Sequence, residues 1–225
     1  MPSVIRKEVR KLKGYRLSSP PHRIKLNQNE SPWDLPSPLK EEILERLRRA
    51  AWNRYPTPFC DPLRRKIAAR EGWAPEGVIV SGGSNILIQA LTIAASVGGK
   101  ILTVTPSFSL YEIEGALLGN RVVAVPLRKG DFSFPRDLFL KRLKAVKPQA
   151  VFLANPNAPT GNLFPEEDLV AVMEKAPGLV VIDEAYYPFS GHTMAPYLKK
   201  HKNLVIVRTL SKAFSLGGVR LGYLL

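Results

Sequence analysis

Six short apolar runs punctuate this chain, at residues 78–80, 101–104, 122–125, 150–154, 179–182 and 204–207, with stretches of helical periodicity near 85–97, 107–118, 136–146 and 166–175. A run that is apolar at nearly every position suits a strand covered on both faces, and an intervening helix is the connection that parallel neighbours require. The pattern therefore predicts an α/β fold, three-layer α/β/α, built around a largely parallel sheet. Two more helices are expected ahead of the first strand. Residues 38–52 carry Leu39, Ile43, Leu44 and Leu47 at spacings that share one helical face. The other is expected to start with Asp61 as its N-cap and Pro62 at the first helical position, and to run to about Gly72.

In an open α/β sheet, ligands collect beyond the carboxyl ends of the strands. Four polar segments follow apolar runs in this way: PSFSLY (106–111), NPNAPTG (155–161), DEAYYPF (183–189) and TLSKAFSLGGVRLG (209–222). In the last of these, the Lys212 amine can condense with a carbonyl, while Thr209, Ser211 and the Arg220 guanidinium can hold a phosphate dianion. Gly217 and Gly218 are expected to let the backbone turn tightly between these two functions. Asp183 suits the protonated nitrogen of a pyridine ring, although a strand-end aspartate also suits a helix cap. An amine for an aldehyde, donors for a phosphate and a carboxylate for a pyridine nitrogen together point to pyridoxal 5'-phosphate.

The same segments carry a resemblance. From LNQNESP (26–32) through NRYPTP (53–58), SGGSN (81–85), PSFSLY, NPNAPTG and DEAYYPF to the lysine segment, the chain resembles the pyridoxal-phosphate-dependent aminotransferases of fold type I. It is most similar to those that act on histidinol phosphate. Seven motifs in one order are far more specific than any glycine turn alone. The resemblance implies the cofactor-binding large domain of that fold over residues 38–225, preceded by an arm and substrate-entrance segment over 1–37. Family members continue past the position of Leu225 into a C-terminal small domain, so the chain is expected to be incomplete at that end. The implied reaction is transamination of histidinol phosphate with 2-oxoglutarate, in histidine biosynthesis, by a cytoplasmic homodimer. A threonine-phosphate decarboxylase would carry the same motifs, and a non-catalytic fragment of the fold is the alternative of another class.

The resemblance also assigns roles. Lys212 would anchor the cofactor and move a proton, Asp183 would face the ring nitrogen, and Tyr186 would hydrogen-bond the phenolic oxygen. Gly83, Ser84 and Asn85 open a predicted helix and would turn backbone N–H groups towards the phosphate, a role compatible with capping by Ser84. The acidic residues usual after this serine are replaced by Asn85 and Ile86. Phe108 would stack on the ring. Tyr55 would reach the phosphate of a second subunit, or else pack in its proline-rich loop, and Asn29 and Glu30 would line the substrate entrance, or else form a turn. Where the family has asparagine before the second proline of NPNAPTG, this chain has Ala158; either Tyr186 and a water serve the phenolic oxygen, or Asn157 takes over.

The formal net charge of +14 raises the question of nucleic acid. Half of that surplus lies in residues 1–25, where Arg6, Lys7, Arg10, Lys11, Lys13, Arg16, Arg23 and Lys25 are set against Glu8 alone. Much of the rest alternates in sign along helical faces such as PLKEEILERLRRA, as solvated surfaces do. No nucleic-acid partner is expected; attraction of phosphorylated small molecules is a simpler use of the charge. No apolar run approaches the roughly 20 residues that cross a bilayer, so no membrane partner is expected. Cys60, the only cysteine, excludes an internal disulfide. His22, His192 and His201 lack metal-ligand spacing and are expected at the surface or in caps, and no metal is expected. The expected partners are a small-molecule amino donor and a 2-oxo acid.

Overall fold

The structure, a computed structural model, describes residues 4–10 and 24–225. Lys11, Lys13, Arg16, His22 and Arg23, and with them much of the predicted arm, lie outside the described residues. In chain order the elements are α1 (Lys7–Arg10), α2 (Ser37–Arg49), α3 (Asp61–Glu71), β1 (Ile79–Ser81), α4 (Ser84–Ala95), β2 (Lys100–Thr105), α5 (Leu110–Leu117) and β3 (Arg121–Pro126). There follow α6 (Arg136–Val146), β4 (Ala150–Ala154), α7 (Glu166–Lys175), β5 (Leu179–Asp183), α8 (Tyr187–Ser190), β6 (Leu204–Thr209) and β7 (Gly222–Leu224).

The strands form one sheet in the order β1-β7-β6-β5-β4-β2-β3. Its pairings from β3 through β6 are all parallel, as the apolar runs predict, and β7 lies antiparallel between β6 and β1. Alternation along the strands splits the core in two. Leu102, Val104, Val151, Leu153, Val180, Ile182, Leu204 and Ile206 face α3, α6 and α7, where they meet Ile67, Phe139, Leu143, Leu169 and Met173. Their neighbours in sequence, Ile101, Ala150, Phe152, Val181 and Val207, face α4 and α5 and pack against Leu87, Ile88 and Tyr111. Period-two side chains thus serve both layers of helices at once, which is why the strand sequences read as continuously apolar.

Three departures from expectation lie outside the sheet edge that follows the parallel strands. Helix α3 is capped not by Asp61 but by Cys60, which adopts a left-handed φ of 52°. The Cys60 carbonyl accepts the first bonds from Leu63 and Arg64, while the Asp61 N–H goes to the Thr57 hydroxyl and its carboxylate to Arg64. Helix α2 ends at Arg49, three residues short of the predicted span, and Leu39, Ile43, Leu44 and Leu47 on its apolar stripe stay 39–47% exposed, so the periodicity marks a face that the described residues leave uncovered. His201, expected at the surface or in a cap, is buried beside the Tyr197 ring, with its Nε2 unpartnered among the described residues.

Candidate active site

Because β1, β2, β4, β5 and β6 all run the same way, the segments that follow them emerge at one edge of the sheet. Asp183 ends β5 with the parity of Val181, so its side chain issues on the face covered by α4 and α5. It is 5% exposed. One carboxylate oxygen accepts the Tyr111 hydroxyl at 2.8 Å and the other the Ala185 N–H at 3.1 Å. Among the described residues it has no ion-pair partner. Burial raises its pKa to about 6, against the pull of the Tyr111 and Ala185 hydrogen bonds and of the Lys212 charge. A buried carboxylate held by two donors and no cation is complementary to a protonated ring nitrogen.

Lys212 lies in the loop after β6, half-buried, and donates from Nζ to the Gln28 carbonyl. Burial lowers its pKa, with the nearby Arg220 guanidinium adding to the effect. A lowered pKa enlarges the neutral fraction of the amine, the form that attacks a carbonyl.

The phosphate-binding set also comes together. Gly83 (φ 99°) precedes α4, and no side chain caps that helix, Ser84 included; Ser84 is its first residue. The first-turn N–H groups of a helix lack internal acceptors and carry the positive end of its dipole. The Arg220 guanidinium lies over this terminus: a Cβ built on Gly83 would stand 2.4 Å from Arg220 Nη2. Gly222 of β7 passes equally close, a Cβ there meeting the Ser84 nitrogen at 2.5 Å. The Arg220 side chain reaches the Gly217 carbonyl at 3.0 Å and the Ser211 hydroxyl at 3.4 Å, and Ser211 in turn accepts the Thr209 hydroxyl at 3.0 Å. No carboxylate pairs with Arg220 among the described residues. Helix N–H groups, two hydroxyls and an unneutralised guanidinium make a cradle for a dianion. The tight turn between lysine and arginine rests on left-handed Ser215 (φ 56°) and Arg220 (φ 61°), not on Gly217 and Gly218 as the glycines suggest.

The predicted entrance segment crosses this edge. Asn29, itself left-handed (φ 50°), donates to the Tyr186 hydroxyl at 2.9 Å, and Ser215 donates to Ser31 at 2.9 Å. Glu30 is bound to Lys25. Asn29, Ala158 and Tyr186 line a shared cavity of about 440 Å³ with Leu163 and Phe189. Asn157 is buried with its amide engaged: Nδ2 donates to the Pro106 carbonyl (3.0 Å) and Thr160 (2.8 Å), and Oδ1 accepts from Ser107 (2.9 Å). Both amide hydrogens hold loops together, which leaves the Tyr186 hydroxyl hydrogen as the available donor on this side. Phe108 stands edge-on to Tyr111 at 5.6 Å. Tyr55 is fully exposed.

Two groups that no motif singles out complete the surroundings. Tyr111 ends PSFSLY, one helical turn after Phe108, and that spacing is its only mark in the sequence. Arg208, in an otherwise apolar strand, is 2% exposed and reaches Glu184 at 2.7 Å and Thr193 at 2.7 Å; it also binds Glu71 and lies 3.7 Å from the Tyr187 ring centre. A charged residue inside a buried strand was the available signal.

A sheet edge that gathers a lysine, a buried carboxylate and an anion cradle defines a class, and the family match agrees: the aminotransferase class I and II family matches residues 21–225. The chain belongs to that family. More particularly, it is 44% identical over 222 residues to a histidinol-phosphate aminotransferase of Thermococcus kodakarensis, covering 99% of this chain and 65% of that protein. It is 41% identical to one of Deinococcus radiodurans, covering 100% of this chain and 63% of that protein. The chain thus spans just under two thirds of the length of these relatives. Among solved structures, a histidinol-phosphate aminotransferase of Sinorhizobium meliloti in complex with pyridoxal-5'-phosphate superposes with a TM-score of 0.73 at 27% identity, covering 88% of this chain and 54% of that one.

Proposed function

We propose that this chain carries the pyridoxal-phosphate site of an aminotransferase that moves the amino group of histidinol phosphate to 2-oxoglutarate. The observation that carries the reading is the buried carboxylate of Asp183, without an ion-pair partner among the described residues, found on the same edge as Lys212 and the α4–Arg220 cradle. The residues fit the cofactor at both ends, aldehyde and phosphate. Pyridoxal phosphate, when bound, supplies the carbonyl that takes up the amino group and a ring that withdraws electrons from the reacting carbon.

The chain's own groups then divide the work. The Gly83–Asn85 amides, Thr209, Ser211 and Arg220 hold the phosphate, Phe108 covers the ring, and Asp183 keeps a proton on its nitrogen. Tyr186 donates to the phenolic oxygen, with Asn29 holding its hydroxyl in place. The Lys212 amine would move a proton to and from the substrate carbon, a task its lowered pKa suits. Asn29 and Glu30 border the substrate entrance, and residues 38–225 act as the cofactor-binding domain. The exposed Tyr55 suits contact with a second copy, which supports a homodimer.

The test is a half-reaction. The chain mixed with pyridoxal phosphate should acquire a visible absorption that Lys212→Ala abolishes, and histidinol phosphate should convert the bound cofactor to its amine form. Carbon dioxide released from threonine phosphate would favour the decarboxylase instead. The names of both relatives above favour transamination.

A further inference from the structure

We infer that Tyr111 is a positioning residue for Asp183: its hydroxyl orients the carboxylate and favours the ionised form that a protonated pyridine nitrogen needs. The inference rests on the aminotransferase reading for the identity of that nitrogen, but its geometry stands by itself. Tyr111 is 1% exposed, and its hydroxyl donates to Asp183 Oδ2 at 2.8 Å across 72 residues of sequence. The ring is fixed from two sides. It stacks on Phe152 of β4 at 5.4 Å and 20°, and it takes Phe108 edge-on at 5.6 Å and 87°. A phenylalanine would serve those ring contacts equally well, so among the described residues the hydroxyl's one partner is the carboxylate.

The setting makes that one donor consequential. Asp183 sits in an apolar layer formed by Ile88, Phe152, Val181 and Val207, where a carboxylate favours its protonated form. The charged and titratable groups that act on it are few. Glu184 pushes its pKa up; the Tyr111 hydroxyl, the Ala185 N–H and the Lys212 charge pull it down. Tyr111 feels Asp183 and Tyr186 in return, and burial leads in raising its own pKa, so the phenol keeps its proton and acts only as donor. The Ala185 bond, at 3.1 Å, goes to the other oxygen. Tyr111 and Ala185 thus fix the plane of the carboxylate from opposite sides.

Tyr111→Phe keeps the ring and deletes the donor. In the cofactor-free chain, the carboxyl carbon of Asp183 can be followed by NMR against pH, with Asp183→Asn identifying the resonance. The midpoint, near 6 in the parent, should rise by about one to two pH units in Tyr111→Phe. Affinity for pyridoxal phosphate at neutral pH should fall about twofold to tenfold, and the loss should shrink as pH rises. On an Asp183→Asn background, Tyr111→Phe should leave affinity unchanged, because no carboxylate remains to be positioned. A midpoint and affinity equal to the parent's would overturn the inference, as would an equal loss on the Asp183→Asn background, which would assign Tyr111 to packing. Failure of the parent chain to take up the cofactor would sink the aminotransferase reading instead, and the NMR midpoint would still decide the role of Tyr111.

Discussion

Arg208→Met is the substitution with the largest expected effect on stability. Arg208 is 2% exposed and donates to Glu184 through Nε (3.0 Å) and Nη2 (2.7 Å), to Thr193 (2.7 Å) and to Glu71, whose other oxygen accepts the Tyr223 hydroxyl at 2.6 Å. Burial works to lower its pKa, but Glu184 and then Glu71 outweigh it, so the guanidinium stays charged. Methionine restores much of the volume and none of the charge. Glu184 would keep the Met194 N–H and the Thr193 hydroxyl, and Glu71 would keep Tyr223, but the buried Glu184 would lose its cation and Glu71 would be left with Arg70 at 3.8 Å. Removing one partner of a buried pair costs about 3–5 kcal/mol, a large fraction of the 5–15 kcal/mol that holds a typical domain together. With a urea m value of about 2 kcal/mol/M, the unfolding midpoint should fall by about 1.5–2.5 M. If uncompensated charge is the cause, Arg208→Met combined with Glu184→Gln and Glu71→Gln should recover most of the loss. A single-variant loss below about 1 kcal/mol, or a triple variant no more stable than the single one, would refute the reasoning.

Three further outcomes are expected. The folded pKa of Asp183, about 6, lies above the ordinary 3.9 or so, so the folded chain binds this proton more tightly than the unfolded one; cofactor-free protein should lose about 2 kcal/mol as pH rises from about 4 to 6, and urea melts of Asp183→Asn should lack that component. Gly222→Ala places a Cβ 2.5 Å from the Ser84 nitrogen; it should shift the α4 terminus and weaken pyridoxal-phosphate binding at least tenfold, measured by equilibrium titration, and parental affinity would show that the terminus yields. Arg220→Gln should weaken binding of inorganic phosphate and of the cofactor together by about tenfold to a hundredfold, whereas loss of cofactor binding alone would place Arg220 elsewhere than at the phosphate.

The layers of this fold were legible because burial on both faces writes itself into the strands. Residues 150–154 are predicted and observed as a strand, and 136–146 and 166–175 as helices, with the same bounds. What escaped depends on contacts that no local pattern encodes. Cys60 takes the cap, its carbonyl accepting the first bonds while Thr57 accepts the Asp61 N–H, and the stripe of α2 has the right period but no cover among the described residues. At the site, motifs pointed to Lys212, Asp183 and Arg220 because each carries unusual chemistry for its place in the chain. Tyr111 looked like core, and it is core; only the distance to Asp183 distinguishes it. The engagement of Asn157 with Ser107, Pro106 and Thr160 was likewise invisible, since its partners come from two loops about fifty residues apart.

In β6, Ile206 faces one helical layer and Val207 the other; Arg208 follows the first, into the ion cluster, and Thr209 the second, towards the cradle. At the end of β5, Asp183 and the residue that follows it, Glu184, divide in the same way. Neighbouring letters of the sequence thus answer to opposite sides of the sheet, and the reading frame of the pleat decides which is which. Deleting one residue within either strand would deliver a guanidinium to the cofactor side or a carboxylate to the wrong helix. Point substitutions in these strands can be absorbed by degrees, but a single-residue insertion or deletion cannot, so β5 and β6 should be the parts of the chain least tolerant of any change in length.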